Sequence, residues 1–578
     1  MRLRIARAFG LAGVYLLTCR IMLAPIFNFA HPASASYQGD ARLVIWLLAW
    51  DNHALLDQVP ALFDANIFFP ARNALAYTEH MFGISLFTLP VYALTRNPVL
   101  AYNVVWLLSF FLAAVAAHWL SWRCVRDHLA ATVGGLAFAF CFYRMHQGHG
   151  HLHMIWSFGI PLSLIAMERY VALPNWRRLS LLGGIVVLQA LGSWYQAVLL
   201  AVADALFVAW LVLVERVGLA GPRRPFLDVW RDEESRRWLV RFALRSAAGA
   251  AIALAAVWPF ARHYDVLASA SPAATAGNAA DLAGFFIPPE NTFMGQWIIA
   301  HGIKGPRWIW GEVTVYLGWI TVLLAGLGAA VSLRAKTPSP RRGQFFVVLG
   351  LVSLAFAVGP SSREVAAGAW GWTPYGLLMT VPGIDLFRAP ARFTELITLA
   401  LAVLAAAGCA AMRARLGHFG TALTIAAIPA LLCESYLVNF PGGAPTPFPI
   451  APIYRAVATL PPGAVVSLPD YADTALWFQE ADYQYHSTAH WHPIANGYSR
   501  SEPAGFRDLM NRLSTFPSPS SAATMRTVGV QYVVFHGRQL ENGLGLTSQA
   551  AAGGDFRLLA QRDDDYLFEV LAATMPPR

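Results

Sequence analysis

A chain of 578 residues that is 57% hydrophobic and only 13% charged reads as a polytopic membrane protein and not as a soluble domain. Its formal net charge of +9 does not point to nucleic acid, because much of the excess sits in short basic loops between apolar runs, where positive-inside bias and anionic lipid account for it. The five cysteines, Cys19, Cys124, Cys141, Cys409 and Cys433, form no CxxC pair, so neither a disulfide framework nor a cysteine metal site is indicated.

A membrane span needs about 20 apolar residues. The first candidate covers 8–30 and follows Arg2, Arg4 and Arg7, which places the N-terminus on the cytoplasmic side. Ala33-Ser34-Ala35 resembles a signal-peptidase site, but the apolar run is long for a signal peptide and Arg20 interrupts it, so an uncleaved span is expected. Residues 31–97 then form a first exoplasmic loop. Inside it, Leu43, Ile45, Trp46, Leu47 and Trp50 recur at helical spacing among Asp40, Arg42 and Asp51, the pattern of a helix over 40–56 lying in the interface plane. The run Met81–Leu94 is too short to span and contains Pro90, so it reads as a second interfacial helix.

Further spans are expected at 98–121, 129–145, 155–172, 179–194, 197–215, 246–263, 313–333, 344–360, 394–412 and 420–438, for about eleven in all. The linkers alternate in character. SWRCVRDH, PNWRR, RAKTPSPRRG and the stretch from Arg413 are basic and belong inside, as does Glu215–Arg245. HQGHGHLH, GSWYQ and FFIPPENTF carry His, Trp, Tyr and Pro and belong outside. A long exoplasmic loop over 263–312 contains Glu290 and Glu312. The fold class is therefore a polytopic α-helical membrane module, 1–440, followed by an exoplasmic α/β domain, 441–578. That domain begins with the Pro-rich PGGAPTPFPIAP. Strands are expected at Ala464–Leu468, at Val530–Phe535 and from Tyr566-Leu567 onward, and helices at Ile453–Thr459 and Glu502–Leu513.

Ionisable groups at membrane boundaries are costly unless used. Asp40 follows the first span, where its carboxylate suits a base for an acceptor hydroxyl or a metal ligand; an Asp before an apolar periodic run is also an ordinary helix N-cap. Glu79 and His80 end the same loop and offer a carboxylate beside an imidazole, a base or a ligand pair. They too precede an apolar helix. His146, His149, His151 and His153 fall within eight residues of one turn. Neutral imidazoles would bind zinc or another divalent metal and imidazolium would bind phosphate, and without an HExxH spacing a phosphate- or substrate-facing role is expected. Whether a divalent metal is required stays open.

Arg388 and Arg392, in DLFRAPARFTE, precede a span on the face where arginine is disfavoured. A guanidinium fork matches phosphate; snorkelling to headgroups is the rival use. In the tail, Tyr485–Ser499 packs His490, Trp491, His492, Asn496 and Tyr498 together. Aromatic faces with amide and imidazole donors suit an acceptor carbohydrate, or else they hold the tail against the membrane module. No GxxxxGK[ST] loop or GxSxG elbow is present.

In layout the chain resembles the GT-C superfamily of membrane glycosyltransferases, which includes oligosaccharyltransferase catalytic subunits, protein O-mannosyltransferases and aminoarabinose transferases. The resemblance rests on a first span, then Asp40 and the stretches 40–56 and 81–94 in a long outer loop, then the span 98–121 ending in SWRCVRDH. It extends through the first 330 residues or so. The next outer turn, HQGHGHLH, lacks the acid that such enzymes often carry there. NIFFPARNALAYTEH, LFRAPARF and STAHWHPIANGYS are similar to strings in bacterial multi-span proteins described as glycosyltransferases. The resemblance implies a bacterial inner-membrane enzyme with a polyprenyl-phosphate-sugar donor, an inverting transfer, Asp40 as base, and a glycan, lipid or protein acceptor outside the membrane. A transporter or flippase for a lipid-linked glycan, or a non-catalytic assembly factor, are the alternatives from other classes.

Overall fold

The computed structural model describes residues 2–24, 39–57, 61–216, 233–267, 272–302, 314–334, 341–359, 373–381, 383, 386–438, 448–471, 474, 476–540 and 542–572. The Ala33-Ser34-Ala35 motif, Glu312 and most of the Pro-rich PGGAPTPFPIAP segment lie outside these residues. In chain order the main helices before the tail are α1 (Arg2–Met22), α2 (Gly39–Leu56), α3 (Phe82–Thr95), α4 (Pro98–Val125), α5 (His128–Ala139), α6 (Phe142–Gln147), α7 (Leu152–Ile155), α8 (Gly159–Ala172), α9 (Trp176–Gly192), α10 (Trp194–Trp210), α11 (Glu233–Ala261), α12 (Trp319–Arg334), α13 (Arg341–Ala357) and α14 (Thr394–Ser435). The tail contributes α15 (Pro452–Val457), α16 (Glu480–Ser487), α17 (Phe506–Leu513), α18 (Pro519–Val528) and α19 (Gly543–Ala552), with strands β1 (Ala464–Leu468), β2 (Val530–His536), β3 (Phe556–Arg562) and β4 (Asp565–Val570).

The chain divides into two compact units that are not contiguous in sequence. A helical unit comprises Met1–Phe27, Val105–Pro259 and Ala268–Ala444, and an α/β unit comprises Asn28–Val104, Phe260–Leu267 and Pro445–Arg578. The first loop therefore groups with the C-terminal tail.

In the helical unit, apolar runs become helices whose starts are fixed by short polar caps: Asp127 accepts from the Leu129 and Ala130 amides, Asn175 from Arg178 and Ser193 from Gln196. The expected spans coincide with helices, with two differences. The segment 129–145 breaks after α5 and restarts as α6. The two expected spans at 394–412 and 420–438 form one helix, α14, bent at Gly417, where φ is 57° and ψ −123°, a conformation glycine adopts without a Cβ penalty. Among the described residues, Pro98–Val125, Trp194–Leu213, Glu233–Ala261 and Pro390–Ser435 are long and apolar enough to cross a membrane, as in a membrane protein. α12 packs closely on α14: a Cβ on Gly328 would lie 1.9 Å from the Leu404 carbonyl oxygen, and one on Gly408 2.2 Å from that of Leu324. Such small residues let helix backbones approach where lipid offers no hydrophobic drive.

One end of this unit collects the basic loops. Arg123 and Arg342 both pair with Glu168, at 2.6 and 2.5 Å, and Arg413 pairs with Asp127. Along α14, Glu395 and Arg413 stand about 27 Å apart at 1.5 Å per residue, close to the thickness of a hydrocarbon core.

In the α/β unit the sheet order is β1-β2-β4-β3, with β1 parallel to β2 and the other pairs antiparallel. The sequence pattern found three of these strands and missed β3, which alternates weakly and is exposed over much of its length. The free edge of β1 is covered by the tail segment 493–495, where the Val465 amide donates to Pro493 O and the Ala495 amide to Val465 O. The first loop pairs in turn with that segment: the Ile494 amide donates to Asn66 O, Phe69 to Ile494 O and Phe68 to Asn496 O. Backbone ladders thus extend the sheet from the tail into the first loop and leave little open edge.

The expected interfacial placement of residues 40–56 is corrected by their burial. In α2, Val44, Ile45, Trp46, Leu47, Leu48 and Ala49 are all buried, as are Asp51 and Asn52. α3 and α16 pack against it. Leu43 to Trp50 is apolar on every face, and a helix of that kind is a core helix. α3 presents Ile84, Ser85, Thr88 and Tyr92 inward and leaves Leu86 and Leu94 exposed.

Candidate functional site

The α/β unit holds seven of the residues singled out above: Asp40, Glu79, His80, His490, His492, Asn496 and Tyr498. Asp40 occupies the first turn of α2, where the helix dipole favours a carboxylate. It is half-buried, and the Tyr498 hydroxyl donates to its Oδ1 at 2.7 Å. Burial and the neighbouring Asp40 carboxylate both push the Tyr498 phenol up, so it stays a donor. Trp477 stacks on the Tyr498 ring with centroids 4.8 Å apart. The next side chain in the tail, Ser499, donates to Tyr77 O at 2.6 Å, two residues before Glu79. Consecutive tail residues therefore bond near both ends of the first loop.

Two residues along α2, Arg42 pairs with Asp482 of α16 and lies over the Phe448 ring, 3.7 Å from its centroid. Asp482 and Trp477 were not singled out in the sequence, and Arg42 was read only as part of the helix pattern. Arg42 and Asp482 stand 440 positions apart, and no local pattern joins them.

His80 is fully buried against Phe63, Phe260 and Tyr264. Its Nδ1 lies 3.1 Å from the Tyr264 hydroxyl, which donates to Thr78 O. Desolvation pushes the imidazole down to about 3, so it is neutral. This environment corrects the expectation that His80 is a base: the ring is packed away from water. Glu79 beside it is half-buried.

The tail segment is also more structural than its composition suggested. Asn496 is fully buried, and its whole amide is engaged: Oδ1 accepts from the Ser467 amide at 2.7 Å, while Nδ2 donates to Ser467 O at 3.0 Å and Glu480 Oε2 at 2.9 Å. Its expected acceptor-binding role is therefore corrected to that of a clasp between β1 and α16. Glu480 also accepts from the Tyr471 amide at 2.9 Å, and burial, with Asp470 nearby, pushes its carboxyl up to about 8. His490 is pushed down to about 3 by burial, and its Nδ1 accepts from the His492 amide at 3.0 Å. His492 Nδ1 donates to Gly463 O at 3.0 Å. The Trp491 indole stacks on His53 with centroids 4.3 Å apart and planes 4° from parallel. From this segment, the Tyr498 hydroxyl reaches Asp40.

The helical unit holds the other five, His149, His151, His153, Arg388 and Arg392. The histidine turn is not an open loop: α6 and α7 enclose it. His149 is buried, its Nδ1 donating to His146 O at 2.9 Å, and desolvation pushes it down to about 4. His151 meets Gln147 Oε1 at 2.8 Å, and both His151 and His153 are half-buried.

The turn is closed by a residue that sequence reasoning passed over. Arg144 is fully buried, and its guanidinium donates to Ala139 O, Ser109 O, Ile155 O, Ser157 Oγ and Glu395 Oε1, the last at 2.9 Å. All five of its N–H groups are thereby used. Ser157 also donates to Glu395 Oε1, at 2.5 Å. The available signal was a pair of opposite charges, one ending an expected span and one beginning another, since ions inside a membrane pair with one another.

Arg392 is buried with its guanidinium 3.9 Å above the Tyr195 ring, and Arg388 is exposed. Gln196, the next residue after Tyr195, donates to Met154 O at 2.5 Å. The first turn of α10 thus anchors both Arg392 and the end of the histidine turn. Among the described residues no three His, Cys, Asp or Glu side chains converge in a group that could hold a metal ion.

No protein-family model matches the chain, and no curated protein matches it. Solved structures do. The arabinofuranosyltransferase AftD from mycobacteria is similar over 98% of this chain, at 15% identity and a TM-score of 0.56. The chain spans only 41% of the AftD chain. The oligosaccharyltransferase AglB of Archaeoglobus fulgidus, solved with an inhibitory peptide and a dolichol-phosphate, aligns over 91% of this chain and 69% of its own, at 11% identity and a TM-score of 0.45. ArnT of Cupriavidus metallidurans, bound to undecaprenyl phosphate, aligns over 99% of each chain, at 11% identity and a TM-score of 0.36. The fold of this chain is similar to that of the arabinofuranosyltransferase AftD.

Proposed function

We propose that the chain is a glycosyltransferase of the bacterial inner membrane that moves a sugar, with inversion, from a polyprenyl-phosphate carrier to an exoplasmic acceptor. The observation that carries this reading is Asp40, a half-buried carboxylate at the start of α2 held by the Tyr498 hydroxyl at 2.7 Å. It stands in a chain whose fold AftD shares. A base must keep its reactive oxygen oriented while remaining reachable, and the Tyr498 hydroxyl orients this half-buried carboxylate.

In the proposed reaction Asp40 takes the proton from an acceptor hydroxyl as that oxygen bonds to the anomeric carbon of the donor. The bond from that carbon to the phosphate oxygen breaks, and the polyprenyl phosphate leaves with the electron pair. Holding the reactants in line removes several kcal/mol of entropic barrier. In the helical unit, Arg388, Arg392 and the histidine turn are the candidates for binding the phosphate, because a guanidinium fork matches its oxygens. Burial keeps His149 neutral and its one N–H goes to His146 O, so a phosphate contact from the turn falls to the other imidazoles.

The test is transfer from a polyprenyl-phosphate sugar in proteoliposomes by the Asp40→Asn protein. Loss of about 100-fold or more in rate is expected for a general base, with unchanged folding. Full activity in the variant would remove Asp40 from the role.

A further inference from the structure

We propose that Trp477 is a stacking platform for one ring of an extended saccharide, so that the acceptor presented to Asp40 is a glycan of two or more sugar units. This rests on the reading of Asp40 as the base. Trp477 lies in a short helical turn, Trp477–Gln479, and is 49% exposed. Its neighbour Phe478 anchors that turn on the start of α2: a Cβ on Gly39 would lie 2.8 Å from the Phe478 carbonyl oxygen. The platform is therefore fixed to the same point of the fold as Asp40.

Tyr498 sits between them. Its ring takes one face of the indole, with planes 18° from parallel, and its hydroxyl reaches Asp40. The covered face belongs to the protein, which leaves the exposed surface of Trp477 for a ligand. That surface is one aromatic layer removed from the carboxylate's partner. A ring stacked there is thus displaced from the reacting position by about its own size, and the next sugar along the chain is the one whose hydroxyl meets Asp40. Sugar rings carry an apolar face of C–H groups that suits an indole and a polar rim that does not need one. A single monosaccharide cannot occupy both positions.

The experiment uses the full chain in lipid nanodiscs and a panel of gluco-, manno-, galacto- and arabinofurano-oligosaccharides of one to three units. Binding is read by saturation-transfer NMR and calorimetry. At least one di- or trisaccharide should bind the unaltered protein more tightly than its monosaccharide. Trp477→Ala should weaken it by about tenfold or more and Trp477→Phe by less than about threefold, as expected for loss and retention of an aromatic contact. No oligosaccharide binding that depends on Trp477, or equal losses in the Ala and Phe variants with folding intact, would overturn the proposal. So would a Trp477→Ala effect that is the same for an acceptor lipid lacking any sugar, which would make Trp477 a membrane-interface anchor. If Asp40→Asn keeps full transfer while Trp477 still governs saccharide binding, the base assignment falls and the platform stands.

Discussion

Removing the Arg144 side chain isolates the most heavily bonded charge in the helical unit. Both Arg144 and Glu395 have no exposed side-chain surface, so Arg144→Met leaves a buried carboxylate supported by Ser157 alone and three backbone carbonyls without their donor. Breaking a buried pair by removing one partner costs about 3–5 kcal/mol. That corresponds to a fall in Tm of roughly 6–10 °C for a domain of this order of size. Glu395→Leu should cost a similar amount by stranding the guanidinium. The double variant, which strands neither charge, should recover at least about 2 kcal/mol relative to the sum of the singles. The assay is thermal unfolding of detergent-purified protein, followed by size-exclusion of the soluble fraction, with the four proteins of the cycle side by side. Arg144→Lys separates charge from geometry, because an ammonium keeps the charge and loses the planar fork. Single-variant costs below about 1 kcal/mol, or strictly additive losses, would refute the account of Arg144 as the clamp on the histidine turn.

Asn496→Ala should destabilise the α/β unit by about 2–4 kcal/mol, since it orphans buried groups on Ser467 and Glu480; a variant as stable as the parent in chemical denaturation would contradict the clasp. Burial raises the Glu480 carboxyl from its ordinary value of 4.5 to about 8, so the proton it keeps stabilises the fold fully below about 4.5, and that contribution declines as the pH rises through about 8. The stability of the unit should therefore fall over that window, and Glu480→Gln should flatten the slope. Arg392→Ala should raise the KM for a lipid-phosphate donor with little change in acceptor KM; the reverse pattern would remove Arg392 from phosphate binding. Gly39→Val should displace the Trp477–Gln479 turn and lower transfer without changing donor binding, measured by filter retention of labelled lipid.

The helices were legible because their signal is local: an apolar run long enough for a bilayer reads as a helix wherever it occurs. Asp40 stood out for the same reason, as an acid next to such a run, and the structure puts it in the first turn of α2. What the pattern could not carry was anything joining distant segments. The run Leu43–Trp50 has the same composition whether it lies on a membrane or inside a protein, and the partners that decide the matter, in α16, lie more than four hundred positions away. Asn496 and His490 looked like binding groups because exposed amides and imidazoles would be. Their hydrogen bonds to Ser467, Glu480 and the His492 backbone have no sequence signature. The break after α5 hinged on Arg144, whose five acceptors come from four separate stretches of chain.

The bond between Tyr498 and Asp40 spans 458 positions, and this carries a consequence for biogenesis. During synthesis α2 emerges early, with an apolar surface on every side and its covering helix α16 not yet made. Every membrane helix between them must be produced before the tail can add its strand to residues 66–69 and its hydroxyl to the carboxylate. Non-local pairing of this kind forms late, and until then the early segment is exposed to misassembly. A nascent or truncated chain that ends before the tail would thus lack both the covering helix of α2 and the partner of Asp40.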